Sequence, residues 1–322
     1  MQPCDEGRGL KALSTKFRRA CVTGGAGFIG SHLVEQLINL GMEVSIIDDF
    51  STGKSSRVHP DARLVEGSIL DETKVAQAMD SAEIVFHLAA RVAVRSSFEF
   101  VVEDARTNIE GTAAALRVAG RTSTVRRFVS TSSMAVYSDS LSMTPVSEDH
   151  ATNPISPYGV SKLAAERLTH LYCAHSGKES VVLRLFNTYG PGQTFSPYVG
   201  VVTIFVNLLR RGETPTIYGD GLQERDFVHV QDVVQGFVRA MGDTSSGETF
   251  NIGSGEALTL NSLYQHVAES MGSQLIPQYS PAAIGELRCS VASIAKARQK
   301  LGYSPGHKFE QALPAVVAEI CA

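Results

Sequence analysis

The chain lacks paired cysteines and clustered metal ligands. Its five cysteines, Cys4, Cys21, Cys173, Cys289 and Cys321, are odd in number, scattered and form no C-x-x-C. This excludes a disulfide framework or structural zinc site as the organising device. The nine histidines include no H-E-x-x-H. No metal is expected, and single cases such as His170 and His175 read as surface or packing residues. No apolar run approaches the roughly 20 residues needed to span a bilayer. The first sixteen residues are polar with charges of both signs, without the apolar run of a signal peptide. The cytoplasm is therefore the expected compartment. A basic excess is also missing. Lys+Arg number 29 against 33 Asp+Glu, for a formal net charge of -4. Nucleic acid and anionic membranes are not expected partners, and any anionic ligand must be held by local positive groups.

What is present is an alternation of short apolar runs and helical patterns. Ala20–Thr23, Glu43–Asp48, Leu64-Val65, Glu83–Leu88, Arg127–Ser130 and Val181–Phe186 read as strands. Phe28–Leu40, a long stretch near Val101–Val118, and Tyr158–Tyr172 read as helices between them. The strand runs are apolar throughout, as strands buried on both faces should be. The pattern predicts an α/β fold with a doubly wound parallel sheet. After Asn187 the texture changes, with loop signals at Gly190-Pro191-Gly192 and Ser196-Pro197. We expect a nucleotide-binding domain over 17–186 with a return segment about 226–253. A smaller, discontinuous substrate-binding lobe is expected over 187–322, ending in helices near Ile294–Leu301 and Phe309–Ile320.

Between the first strand and first helix lies Thr23-Gly24-Gly25-Ala26-Gly27-Phe28-Ile29-Gly30. Glycines at 25, 27 and 30, or at 24, 27 and 30, permit a tight turn and let backbone amides approach a pyrophosphate at the helix N-terminus. The motif is weak alone, but the strand before and helix after supply its required context. The second strand ends in Asp48-Asp49, at the offset of a ribose-binding acid. A carboxylate accepts from the ribose hydroxyls and repels a 2′-phosphate, which favours NAD over NADP and identifies a Rossmann-type domain.

Tyr158 and Lys162 are four apart on a helix and share a face. A phenol of pKa about 10 is a poor base at neutral pH, and a neighbouring ammonium is expected to lower it. The pair then suits proton transfer coupled to hydride chemistry. Y-x-x-x-K alone matches by chance often; its weight comes from the dinucleotide loop and from Ser130-Thr131-Ser132-Ser133 at the end of the fifth strand. Taken alone, those four hydroxyls read equally as a polar turn.

Together these residues resemble the extended short-chain dehydrogenase/reductase superfamily, and within it the nucleotide-sugar epimerase/dehydratase family. The resemblance runs from Ala20 to Tyr303. It is carried by Thr23–Leu33, His87-Leu88-Ala89-Ala90, Asn108-x-x-Gly111-Thr112, Ser132–Tyr137, Tyr158–Lys162, Phe186-Asn187-x-Tyr189-Gly190-Pro191, Tyr218-Gly219-Asp220-Gly221, Arg225-Asp226-Phe227, Asn251-Ile252-Gly253 and Leu301-Gly302-Tyr303. It implies NAD held by Gly24, Gly27, Phe28, Ile29, Gly30, Asp48, Asp49, Ser68, Ile69, Leu88, Ala89, Ala90, Asn108, Tyr158 and Lys162. It implies Tyr158 as the base on the sugar 4-hydroxyl, Lys162 tuning it and holding the nicotinamide ribose, and Ser133 at the catalytic hydroxyl position. A nucleotide sugar would meet Ser133, Asn187, Val202, Tyr218 at the base, Arg225 and Arg288 at the diphosphate, and Ser290. A homodimer built from the helices near 101–118 and 158–173 is also implied. Three positions depart from the family pattern: Ser68 where an Asp usually meets the adenine, Ser138 for a glycine and Ser293 for a frequent Asp.

Members of this family begin by passing a hydride from C4 to NAD. Dehydratases place Asp-Glu just before the Val-Tyr pair, and decarboxylases a Glu. This chain has Met134-Ala135, neither of which is an acid or base. The expected reaction is therefore 4-epimerisation through a transient 4-keto sugar. Ser290, at the position implied to gate sugar size, leaves room for a 2-acetamido group. UDP-GlcNAc/GalNAc and UDP-Glc/Gal are the expected substrates and UDP-glucuronate ranks third, with dTDP left open as the nucleotide. The alternatives are a dehydratase or decarboxylase, and a non-catalytic NAD-binding scaffold.

Overall fold

A computed structural model describes residues 16–92, 94–138, 144–193, 195, 200–282 and 287–321. Cys4 with the N-terminal tail, Ser196-Pro197, and Gly285-Glu286 lie outside the described residues. In chain order the first elements are β1 (Arg19–Thr23), α1 (Phe28–Asn39), β2 (Glu43–Asp48), β3 (Arg63–Glu66), α2 (Glu72–Met79), β4 (Ile84–His87), α3 (Val101–Ala105), α4 (Gly111–Arg121), β5 (Arg127–Ser133), α5 (Pro157–Ser176) and β6 (Glu179–Leu185). Then come β7 (Asn187–Tyr189), α6 (Val201–Arg210), β8 (Thr216–Tyr218), β9 (Glu224–Arg225), β10 (Phe227–His229), α7 (Val230–Arg239), β11 (Glu248–Ile252), β12 (Leu258–Thr259), α8 (Leu260–Ser270), β13 (Gln278–Ser280), β14 (Cys289–Ser290), α9 (Ala295–Leu301) and α10 (Phe309–Cys321).

Seven strands form one sheet in the order β11-β6-β5-β4-β1-β2-β3, every neighbouring pair parallel. This is the expected doubly wound α/β architecture. Apolar residues on both faces explain it. Leu33, Val34 and Leu37 of α1 and Phe237 of α7 join one buried cluster; Val75, Ala78, Leu116 and Phe128 join another. Each fully buried side chain of this size contributes about 1.5–3 kcal/mol. The C-terminal elements have smaller sheets of two or three strands. They also have an apolar cluster of their own, in which Phe205, Leu263, Tyr264, Phe309 and Leu313 pack together.

Two local expectations are corrected. The stretch near Val101–Val118 is not one α-helix, because Arg106–Glu110 forms a π turn between α3 and α4. The inward-facing Asn108, 1% exposed, accounts for the widened turn through its bonds described below. Secondly, the fifth strand does not stop at Ser130, and Thr131–Ser133 do not form a polar turn. β5 runs through Ser133, paired to β6 as far as Leu185.

Helix α5, which carries Tyr158 and Lys162, is delimited by local chemistry. Ser156 caps α5 by accepting from the Gly159 amide at 3.1 Å, and Pro157 occupies the first turn, where its missing N–H is harmless. Gly177, at φ +66°, ends it in the left-handed conformation that glycine adopts without penalty.

Candidate functional site

The carboxyl ends of β1, β2, β4 and β5 converge on the glycine loop. Gly24 has φ +70°, and a Cβ there would stand 2.9 Å from the Ala89 amide nitrogen. A Cβ on Gly30 would stand 2.0 Å from the Gly24 carbonyl oxygen. Both glycines are therefore steric requirements. Helix α1 opens at Gly27 with no side-chain cap and no acid in its first turn. Its N-terminal amides and the positive end of its dipole are presented without a protein counter-charge, which fits a pyrophosphate.

Asp48 is buried and serves the loop as a brace. Its carboxylate accepts from Ala26 N and Phe50 N, each at 2.9 Å. Burial pushes its pKa up, partly offset by those two amides. Each oxygen retains a lone pair for a ribose hydroxyl. Asp49 is exposed and accepts from Ser51 N. Gly67 N donates to Asp48 O, and the following Ser68 hydroxyl accepts from Leu70 N at 3.3 Å, with Ile69 buried beside it. Across the loop, Thr23 Oγ1 accepts from Leu88 N and Ala89 N and bonds His87 Nδ1 at 2.9 Å. Thr112 donates to the Asn108 carbonyl at 2.6 Å and lies 3.0 Å from His87 Nε2. This network assigns a neutral His87 with its proton on Nε2. Burial, and then the charge of Lys162, push its pKa down to about 3.

Asn108 joins the segment after β4 to helix α5. It accepts from Arg91 N, donates to Arg91 O, and donates to Ser161 Oγ at 2.9 Å. Ser161 in turn donates to the Tyr158 carbonyl at 2.8 Å. Tyr158 and Lys162 are 7% and 5% exposed, and the Ser133 hydroxyl lies near enough to the Tyr158 phenol to lower its pKa. The expected lowering of the Tyr158 pKa is overridden. Burial pushes it up to about 12; the Ser133 hydroxyl pulls against this, and the nearby Asp104 carboxylate adds to it. Lys162 is pushed down to about 8 by burial, with Glu166 opposing.

Three groups here escaped the reading of the sequence. Asp104 is buried and accepts from Arg91 Nε at 2.9 Å. Ser97, fully buried, accepts from the Tyr158 amide at 3.1 Å. Glu166 makes a two-point pair with Arg184 at 2.9 and 2.8 Å. Arg184 also donates to Tyr137, which donates to Asn251 at 2.6 Å. Only Glu166 carried a signal, its spacing of four from Lys162.

The residues expected to meet the substrate are assembled by short strands. Arg225 on β9 is in register with Ser290 on β14, so these two come together. Arg225 is 8% exposed. The adjoining Asp226, fully buried, accepts from Ser254 N and Oγ, Gly255 N and Ala292 N and so fixes this strand. Asn187 donates through both N and Nδ2 to the Asp226 carbonyl. Val202 is buried in the first turn of α6. The Ser290 hydroxyl is buried without a hydrogen-bond partner among the described residues. Arg288 bonds Asp220 at 2.7 Å across an exposed surface, so its expected place at a diphosphate is contested by that carboxylate. Ser138, the departure beside Tyr137, bonds His150 Nε2 at 3.1 Å.

Residues 20–253 match the NAD dependent epimerase/dehydratase family. The chain belongs to that family. It is similar to UDP-glucose 4-epimerase of Mycolicibacterium smegmatis, 36% identical over 89% of this chain and 93% of the relative. It is also similar to UDP-N-acetyl-alpha-D-glucosaminuronate decarboxylase of Bacillus cytotoxicus, 33% identical over 92% of this chain and 95% of the relative. Its structure resembles that of UDP-glucose 4-epimerase from Thermotoga maritima with UDP-glucose, with a TM-score of 0.90 and 37% identity over 94% of this chain and 98% of that one. The chain is thus an NAD-dependent, nucleotide-sugar-modifying enzyme of the epimerase/dehydratase family. Family membership spans relatives that epimerise and relatives that decarboxylate, so the reaction must be argued from the site.

Proposed function

We propose that this enzyme inverts C4 of a UDP-sugar, with UDP-GlcNAc/GalNAc or UDP-Glc/Gal as substrate. The observation that carries this reading is what surrounds Ser133, at the end of β5 beside the buried Tyr158 phenol. The next two residues, Met134 and Ala135, begin a short helical turn and bring no acid or base. NAD, when bound, supplies the hydride acceptor and later the donor. As phenolate, Tyr158 takes the 4-hydroxyl proton while hydride leaves C4, and gives that proton back to the same oxygen when hydride returns to the other face of the turned 4-keto sugar; Ser133 holds the sugar oxygen in hydrogen-bond reach. Lys162 contributes the positive charge that favours the phenolate form, and the dry setting of both groups strengthens that effect. The buried, unpaired Ser290 hydroxyl beside Arg225 supports a small sugar-side residue that spares a 2-acetamido group.

A second reading, removal of C6 as carbon dioxide, is favoured by the decarboxylase relative and by Asp104, a buried carboxylate close enough to act on Tyr158. Incubation with UDP-GlcNAc, UDP-Glc and UDP-GlcA separately, without added reductant, distinguishes them by NMR. A C4-inverted product of unchanged mass is the expected result. A product lighter by carbon dioxide or water overturns the epimerase assignment, and the preferred sugar reports on Ser290.

The same reading carries a homodimer. Val101, Ala105 and Ile109 line an open groove with Ile155 and Val160, where apolar side chains are left exposed. Light scattering is expected to give twice the 34.5 kDa chain mass for the wild type and the single-chain mass for Val160→Asp; a monomeric wild type removes the proposal.

A further inference from the structure

We infer that Arg95 is a ligand of the substrate's diphosphate, held ready over the cleft by the ring of Tyr218. This rests on the nucleotide-sugar reading and deepens it. Arg95 follows the carboxyl end of β4, in the segment between Leu88–Ala90 and the short helical turn Ser96–Phe98. In an open α/β sheet this is the edge where ligands bind. Tyr218 comes from the other side, at the end of β8 among the C-terminal elements. The Arg95 guanidinium stands 4.4 Å from the Tyr218 ring centroid, within cation–π range. The contact spans the mouth between the sheet and the C-terminal cluster, and both partners are exposed there.

The attraction of the Arg95 cation to the Tyr218 ring is electrostatic and engages none of the hydrogen-bonding capacity of an acceptor. A guanidinium carries five N–H donors in a fixed fork. The edge of Arg95 thus remains suited to two-point bonding of a phosphate. Its position relative to the chemistry is fixed by the neighbouring Ser97. Ser97 donates to Val94 O at 2.6 Å and accepts from the Tyr158 amide at 3.1 Å. A cation carried by this segment is therefore fastened to the N-terminus of the catalytic helix. The charge balance gives it work to do. The chain is net negative, Arg288 is engaged by Asp220, and Arg225 is largely buried, so a dianionic ligand entering the mouth meets Arg95 as an exposed positive group.

Calorimetric titration of the NAD-loaded protein with UDP and with uridine tests this. Arg95→Ala is expected to weaken UDP binding about ten-fold, as loss of one charge-assisted contact should, to leave uridine binding nearly unchanged, and to flatten the salt dependence of UDP affinity. UDP affinity that is unchanged or tighter in Arg95→Ala overturns the inference, as does an equal loss for UDP and uridine, which would place Arg95 on the base. Failure of the wild type to bind UDP or dTDP would overturn the nucleotide-sugar reading itself, and the inference with it.

Discussion

At the scale of single residues, the site shows how much a neighbour matters. Tyr158 in isolation is a phenol of ordinary acidity. Here burial pushes it up to about 12, and burial pushes Lys162 down to about 8. Each group is thus driven toward its neutral form when the cleft holds no ligand, and charge separation between them awaits the substrate's oxygen and the cofactor's positive ring. Replacing Tyr158 by Phe removes one oxygen and the proton-transfer group with it. We expect kcat to fall by roughly 10²–10⁴-fold, while the protein still takes up NAD, as followed by calorimetric titration. Turnover that survives unchanged in the Phe variant would remove Tyr158 from the role of base. The sequence exposed this residue and Lys162 through their spacing. It could not expose Asp104 or Ser97, because neither stands at a diagnostic offset from anything. They reach Tyr158 only after the π turn and the segment following β4 have folded against α5.

At the scale of elements, helix α7 begins on an unusual cap. His229 accepts from the Gln231 amide at 3.3 Å through Nδ1, which only a neutral imidazole can do. Its ring stacks on His307 with centroids 4.3 Å apart, and His307 lies 3.0 Å from Asp232. Burial, then the charges of His307 and His32, push the His229 pKa from 6.5 down to about 4, while Asp232 opposes. Because the folded pKa is depressed, its contribution to stability is complete above pH 6.5 and is lost as pH falls toward 4: the unfolded chain takes up a proton that the native cap refuses. His229→Asn keeps a good cap without the titration. Its Tm is expected to decline less than that of the wild type between pH 6.5 and 4; parallel declines would refute the assignment. His87, at about 3, acts in the same direction and will remain in the variant. Among elements, the strands and long helices were legible because apolar periodicity survives in any context. The hinge inside the stretch from Val101 was not, since the π turn answers to the Asn108 clamp on Arg91 rather than to local propensity. The continuation of β5 through the three further hydroxyls of Thr131–Ser133 was equally hidden. Pairing with β6 overrides the turn preference of serine.

At the scale of the whole molecule, Arg127 ties the central sheet to the chain's late return. It is wholly buried and donates to the Ala240 and Gly242 carbonyls at 2.7 Å, to Ser245 Oγ at 3.0 Å, and to Glu179 at 2.7 Å. Arg127→Met would leave the Ala240 and Gly242 carbonyls to share the single Ser245 hydroxyl proton, with Glu179 free to turn to water. We expect a loss of about 1–3 kcal/mol, read as a lower midpoint in urea; a loss well below about 1 kcal/mol would mean that water takes over these bonds. No motif announced this residue, and a lone arginine at a strand start reads as surface charge until the bend after α7 is seen to close over it.

Strand β11 pairs with β6 but is separated from it by β7 through α7. During synthesis, β6 therefore leaves the ribosome long before its outer neighbour exists. Val181, Val182 and Leu183, all fully buried in the finished sheet, then form a bare apolar edge. A nascent chain stalled before residue 248, or a fragment cut there, presents an open template for another strand. The enzyme's vulnerability to aggregation is thus set by the order of its elements along the chain, and it ends when the strand that closes the sheet arrives.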